Sequence, residues 1–287
     1  MDTIFDHGLA EMRLSRAIAI GDAAAGFLME RAAEDLEDRI STVERRFDKA
    51  ATLYSRSDAA RLVLLRSGKA AAVARIEADG VPASDAIRAA PELLPLGEGE
   101  IDLAVSLYAL DTVNDLPGML IQIRRALRPD GLFLGCMAGA GTLGELREVL
   151  LVAETELAGG ASPRVHPFAD VRDAGGLLQR AGFALPVTDH ETVTVRYDSM
   201  FALIRDLRAM GATSILAERS RKPATRALFM RAAEIYAERF SDPDGRVRAT
   251  FSTIWLSGWA PHASQQKPLR PGSGKVSLTK VLGPDES

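Results

Sequence analysis

The stretch from Ile101 to Met137 constrains this chain more than any other. "IDLAVSL" (101–107) is a mainly apolar run interrupted only by Asp102 and Ser106, "NDLPGMLIQIRRALRPDG" (114–131) follows, and "LFLGCM" (132–137) is apolar again. An apolar run without polar alternation reads as a strand buried on both faces. In the middle piece Leu116, Leu120, Ile123 and Leu127 fall on one side at three- and four-residue steps, the period of a helix. Asn114 or Asp115 can cap it, and Pro117 sits in the first turn, where its missing N–H costs nothing. "RPDG" (128–131) then turns the chain out of the helix. Strand, helix, turn and strand form a βαβ unit, so a parallel sheet follows.

The remaining segments extend that unit. Residues 10–47 carry a helical pattern, with Leu28, Ala32, Leu36, Ile40, Val43 and Phe47 recurring on one face. "KAAT" (49–52) predicts a short strand, "DAARLVLLRSG" (58–68) a helix closed by Gly68, and "AAAVARI" (70–76) a second strand. Residues 78–100, with Gly, Pro and acidic side chains, predict loops around one short helix. Beyond the βαβ unit, helices are predicted over 142–160, 170–183, 200–211 and 223–240, and strands over 192–197 and 249–260. The expected fold is α/β, a doubly wound Rossmann-like arrangement around a mostly parallel sheet, with helical additions at the N-terminus and after strand five. The expected division is a helical extension over 1–46, an α/β domain over 47–261 with a helical insertion at about 198–241, and a polar tail over 262–287.

Composition narrows the function classes. A formal net charge of −4 over 287 residues gives no electrostatic case for nucleic acid as a partner. The single cysteine, Cys136, allows no intramolecular disulfide and no thiolate metal cage, and it suits a reducing cytoplasm. "MDTIFDHGLAEMRLSRA" lacks a secretory pattern, and no apolar run reaches the roughly 18–20 residues of a membrane span. His7, His166, His190 and His262 show no metal-ligand spacing, so no metal is expected. "GAGTLGE" (139–145) reads either as an anion-binding turn or as a loop on the substrate side. The tail segment "WAPHASQQKPLRPGSGK" (259–275) reads either as a partner-binding element or as a strap across the last strand.

"LYALDTVNDLPGMLIQIRRALRPDGLFLGCM" (107–137) resembles the fourth strand, helix and fifth strand of class I S-adenosylmethionine-dependent methyltransferases. "GGASPRVHPFADVRDAGGLLQRAGFALP" (159–186) and "DPDGRVRATFSTIWLSGWAPHASQQKPLRPGS" (242–273) narrow the resemblance. They are similar to the subgroup that includes the respiratory complex I assembly factor, an arginine hydroxylase. A more distant likeness is to the malonyl-carrier-protein methyltransferase of biotin synthesis. The likeness covers nearly the whole chain, including "IFDHGLAEMRLSRA", and is dense over 107–273.

The resemblance implies S-adenosylmethionine as cofactor and assigns positions to it. Thr52 stands where the family has an acidic residue at the end of the first strand, and Tyr54, Arg56 and Asp58 stand at its loop glycines. Side chains there oppose the left-handed backbone by roughly 1–2 kcal/mol each, and a tyrosine ring pointing inward would occupy cofactor space. Ala90 replaces an aspartate beside the adenine amine. Glu77 falls where a carboxylate accepts from the ribose, or is a solvated acid in "EADG". Asp111-Thr112 replaces a His-Trp pair on the loop after strand four, which makes Asp111 the candidate catalytic or acceptor-side residue. Two functions follow. One is a non-catalytic or repurposed methyltransferase-fold protein, working through a protein partner in respiratory complex assembly, with arginine hydroxylation as a variant. The other is an active methyltransferase with an atypical cofactor loop.

Overall fold

The computed structural model describes residues 3–266. Seven strands form one sheet: β1 (Phe47–Leu53), β2 (Ala70–Glu77), β3 (Ile87–Arg88), β4 (Ile101–Leu107), β5 (Leu127–Ala138), β6 (Ala184–Tyr197) and β7 (Val247–Trp259). Their order is β3-β2-β1-β4-β5-β7-β6. The first five run parallel, while β7 is antiparallel to both of its neighbours. The order reverses between β1 and β4, and such a crevice at the carboxyl ends of the strands is where open α/β sheets hold ligands.

Among the described residues eight α-helices accompany the sheet: α1 (His7–Ile20), α2 (Phe27–Ser41), α3 (Ala59–Arg66), α4 (Leu116–Ala126), α5 (Gly144–Ala158), α6 (Val171–Arg180), α7 (Met200–Ala209) and α8 (Arg226–Phe240). The two-residue period of the strands divides the core. Ala104, Phe133, Met137 and Ile254 face α4 and α6, while Leu103, Val105, Leu134 and Trp255 face α2 and α3. A third cluster joins α5, α7 and α8 to the first half of β7 through Val247, Ala249 and Phe251. The βαβ unit forms as its pattern predicts, with the Asp115 carboxylate accepting from the Gly118 amide at 2.9 Å and Pro117 in the first turn.

Five expectations change. The long N-terminal pattern is two helices, because Gly21 closes α1 in a left-handed cap (φ 64°) and Asp22 caps a short 3-10 turn before α2. Phe47 belongs to β1 instead of that helix. Residues 78–100 hold no helix, only the two-residue β3 and turns. "RPDG" does not end an element: β5 starts at Leu127 and carries Asp130 (φ 67°) as part of a bulge opposite Ile101–Leu103. The strand predicted over 192–197 is the end of a longer one that begins at Ala184. Most of the predicted tail, including Lys267 and Arg270, lies outside the described residues. Its first residues fold back, where Gln265 Nε2 donates to Asp130 Oδ1 and the Ala260 carbonyl, both at 2.9 Å.

Candidate functional site

The loop after β1 keeps a left-handed course without glycine: Tyr54 has φ 51° and Arg56 φ 58°. Each costs about 1–2 kcal/mol against an ordinary backbone, so neighbouring contacts must hold the loop there. The Tyr54 amide donates to the Ile76 carbonyl at 2.8 Å. Its hydroxyl is shared between the carbonyls of Ala90 (3.0 Å) and Leu93 (2.5 Å). The half-buried phenol therefore spans from β1 to the loop before β4. Burial, with the charge of Glu77 beside it, pushes its pKa up to about 12.

Glu77, at the end of β2, is not a solvated acid; only 1% of it is exposed. It accepts from Arg75 Nε at 2.9 Å and from the Arg56 amide at 3.3 Å. Arg75 also lies 3.5 Å from Asp58, whose other oxygen meets Arg61 at 3.3 Å. Burial raises the Glu77 pKa, with Arg75 acting against it. Arg56, Asp58 and Glu77 thus join one network. Thr52 is buried and its hydroxyl has no partner among the described residues. Ala90 contributes its carbonyl to Tyr54.

Helix α1 covers the same crevice. His7 Nε2 lies 2.6 Å from Glu92, whose carboxylate also accepts from the amides of Asn114 (2.6 Å) and Asp115 (3.0 Å). Asn114 Oδ1 in turn accepts from the amides of Ile4 and Phe5, both at 2.8 Å. Burial acts to raise the Glu92 pKa, but the Asn114 and Asp115 amides and His7 outweigh it and hold it below the ordinary value. What remains between His7, Leu14, Tyr54, Glu77 and Met119 is a space of about 80 Å³.

On the other side of Arg56 lies a cavity of about 430 Å³, reached by Arg56, Tyr108, Asp111, His166, Phe168 and Thr253. Asp111 stands on a 3-10 turn (Leu110–Thr112) after β4. Its Oδ1 is buried and has no hydrogen-bond partner among the described residues. Burial pushes its pKa up to about 6, against the pull of Arg56. Tyr108 Oη contacts Thr253 Oγ1 at 2.6 Å, tying β4 to β7. His166 Nε2 accepts from the Ile215 amide at 2.9 Å, and burial, then Arg13 and Arg56, bring its pKa down to about 4. It is a neutral acceptor near pH 7.

The turn at 139–145 is not an anion nest. The amides of Gly139, Ala140 and Leu143 donate to the carbonyls of Ser252, Ala169 and Thr250 at 2.9, 2.9 and 2.7 Å. Thr142 and Leu143 line the cavity instead. Cys136 is buried within β5, and its thiol pKa is raised by burial. Among the described residues no group of three His, Cys, Asp or Glu side chains could hold a metal, and no helix is long and apolar enough to cross a membrane. Sequence reasoning did not single out Tyr108, Phe168 or Glu92. They carry no motif, and their partners are distant in the chain.

A family model described as a methyltransferase domain matches residues 51–135. The chain is 35% identical over 289 residues to the mitochondrial arginine-hydroxylase NDUFAF5 of Danio rerio, covering 97% of this chain and 89% of that protein. It spans about half the length of some other relatives of that name, 55% for the human one at 43% identity. It is 36% identical over 181 residues to a malonyl-[acyl-carrier protein] O-methyltransferase of Laribacter hongkongensis, covering 63% of this chain and 58% of that protein. In fold it is similar to the YcgJ protein of Bacillus subtilis, with a TM-score of 0.53 at 14% identity, covering 80% of this chain and 99% of that one.

Proposed function

Because this chain belongs to the family of the NDUFAF5 arginine-hydroxylases and carries their methyltransferase domain, we propose that it is a methyltransferase-fold protein that no longer transfers methyl groups and instead engages an arginine of a partner protein. Assistance to the assembly of a respiratory complex is part of this reading. The observation that carries it is the seat of Tyr54. Its ring and α1 leave about 80 Å³ over the ends of β1, β2 and β4, where small-molecule clefts run from about 300 Å³ upward.

The residues present do not suit S-adenosylmethionine. The carboxylate expected at the ribose is buried against Arg75 and the Arg56 amide. The Ala90 carbonyl near the adenine position is bonded to Tyr54.

The neighbouring cavity is built for a cation. A buried carboxylate oxygen without a partner gains a charge-assisted hydrogen bond from a guanidinium, and the pairing returns its pKa toward the ordinary range. Phe168, which lines the same cavity, already has the Arg147 guanidinium over its ring at 5.8 Å. The family relatives are named for arginine, and an arginine side chain on a partner protein has the length to enter such a cavity. The cytoplasmic setting rests on the single thiol of Cys136, whereas the relatives are mitochondrial by name.

One observation favours an active methyltransferase: the backbone at Tyr54 and Arg56 keeps the left-handed trace of a cofactor loop. Calorimetry separates the readings. No heat with millimolar S-adenosylmethionine, and binding of an arginine-bearing peptide that Asp111→Asn weakens about tenfold, are the expected results. Micromolar cofactor binding would overturn the proposal.

A further inference from the structure

A second cavity, of about 300 Å³, opens beside the first, and the two share Leu143, His166, Phe168, Leu207, Ala212 and Thr213. Its charge is one-sided. Arg13, Arg164, Arg208, Arg219 and Lys222 line it, and no acidic side chain does among the described residues. Arg164 is neutralised by Glu154, at 2.6 and 2.9 Å, and Arg219 meets Asp6 at 3.1 Å. Arg13, Arg208 and Lys222 make no ion pair among the described residues. Arg13 is half-buried; burial lowers its pKa, and Arg219 and Arg16 repel it further. A guanidinium nonetheless stays charged. The Ser214 hydroxyl adds a buried polar atom without a partner among the described residues. The floor is apolar: Leu146, Leu150, Ile204 and Phe229.

Arg208 and Lys222 are solvent-exposed, whereas Arg13 is half-buried and repelled by Arg219 and Arg16, so an anion placed between them would relieve Arg13 in particular. A basic wall on which Arg13, Arg208 and Lys222 stand outside ion pairs among the described residues, over an apolar floor, fits an acidic side chain flanked by apolar neighbours. Because this cavity continues into the one that holds Asp111, a single segment can occupy both. We propose that the partner segment is bipartite: its arginine enters toward Asp111, and an acidic residue a few positions away is received by Arg13, Arg208 and Lys222, with Ser214 as a further donor. This inference rests on the arginine-binding reading and adds the second determinant of recognition. Opposite charges at a set spacing against opposite charges in two linked cavities would also fix the direction in which the segment lies.

The test uses the full chain and a random dodecapeptide library displayed on phage. Peptides selected on the wild-type protein should be enriched in arginine, with Asp or Glu at one fixed offset. Selection on the Arg13→Gln/Arg208→Gln variant should keep the arginine and lose the acidic residue. Selection on Asp111→Asn should do the reverse. A selected peptide should bind the double variant about tenfold more weakly, and its affinity for wild type should fall as salt rises.

Absence of acidic enrichment on the wild type, or its survival in the double variant, overturns the inference whatever happens to the arginine. Acidic enrichment without arginine overturns the arginine-binding reading on which the bipartite segment depends. A thermal melt of each variant separates lost recognition from lost folding, and Arg208→Gln alone, at an exposed position, serves if the double variant does not fold. The rival occupant is an anionic lipid headgroup. If the wild type sediments with phosphatidylglycerol vesicles, the double variant does not, and no acidic peptide is selected, the site belongs to lipid and the inference fails.

Discussion

The Tyr54 hydroxyl reaches the carbonyl of Ala90 at 3.0 Å, across 36 residues of sequence. One contact thus joins two positions at which the family resemblance expects cofactor-binding residues, and it closes the space between them. The ring is held by a backbone that tyrosine adopts reluctantly (φ 51°), so the closure depends on tertiary support.

Replacing Tyr54 with glycine should relieve the left-handed strain but remove the ring from its packing and its carbonyl partners. The net loss is about 2–4 kcal/mol, read by chemical denaturation. The same variant should bind adenosine-type ligands at least about tenfold more tightly than wild type, by calorimetry. Unchanged, undetectable binding would show that the ring is not what excludes them.

The Asp111 carboxyl makes stability depend on pH. Its folded pKa of about 6 lies above the ordinary 3.8, so the folded state retains a proton that the unfolded chain has released. Its stabilising effect is complete below pH 3.8, declines as the pH rises through about 6, and is absent above that. Asp111→Asn should therefore match wild type near pH 4 and exceed it at pH 7 by on the order of 1–3 kcal/mol. An equal difference at both pH values would refute this account.

Glu77 and Arg75 form a buried pair, with side chains 1% and 7% exposed. Removing Glu77 leaves the buried Arg75 with only the longer contact to Asp58 and frees the Arg56 amide, so Glu77→Ala should cost about 3–5 kcal/mol. The Arg75→Leu/Glu77→Leu double variant should recover most of that loss. Denaturant midpoints for the three proteins decide it.

Glu92 clamps α1 over the crevice through His7, Asn114 and Asp115. Its folded pKa is depressed, so its contribution is present above pH 4.5 and is lost as the pH falls through the folded value. Glu92→Gln should cost about 1–3 kcal/mol at pH 7 and speed proteolysis within α1. Cleavage at the wild-type rate would remove the clamp from the account.

Much of the scaffold was legible in the chain. Predominantly apolar runs without regular alternation at 101–107 and 132–137 placed β4 and β5, because a strand buried on both faces has few polar positions, and Asp102 and Ser106 in β4 are satisfied by β1. Asp115, Pro117, Gly68, Gly182 and Gly211 marked helix ends through local backbone chemistry, which a sequence carries by itself. The family resemblance assigned the loop positions Tyr54, Arg56 and Asp58 by counting from "FDKAA", and it assigned Asp111 on the loop after β4.

What those residues do was decided only by folding. The sequence raises the expectation of side chains too large for a left-handed turn, yet Tyr54 and Arg56 adopt it. The offsetting bonds come from Ile76, Glu77, Ala90 and Leu93. Glu77 reads as an acid in a polar turn until Arg75 and the Arg56 amide surround it. The Asn114–Phe5 bond spans 109 residues and the Tyr108–Thr253 contact 145. The sequence by itself determined where the chain turns and which faces are apolar, since those depend on neighbours one to four residues away. The tertiary structure alone decided that Tyr54 narrows the crevice, that Asp111 Oδ1 lacks a hydrogen-bond partner among the described residues, and that the basic side chains line one cavity. Each is a contact between segments whose proximity exists only once the sheet has formed.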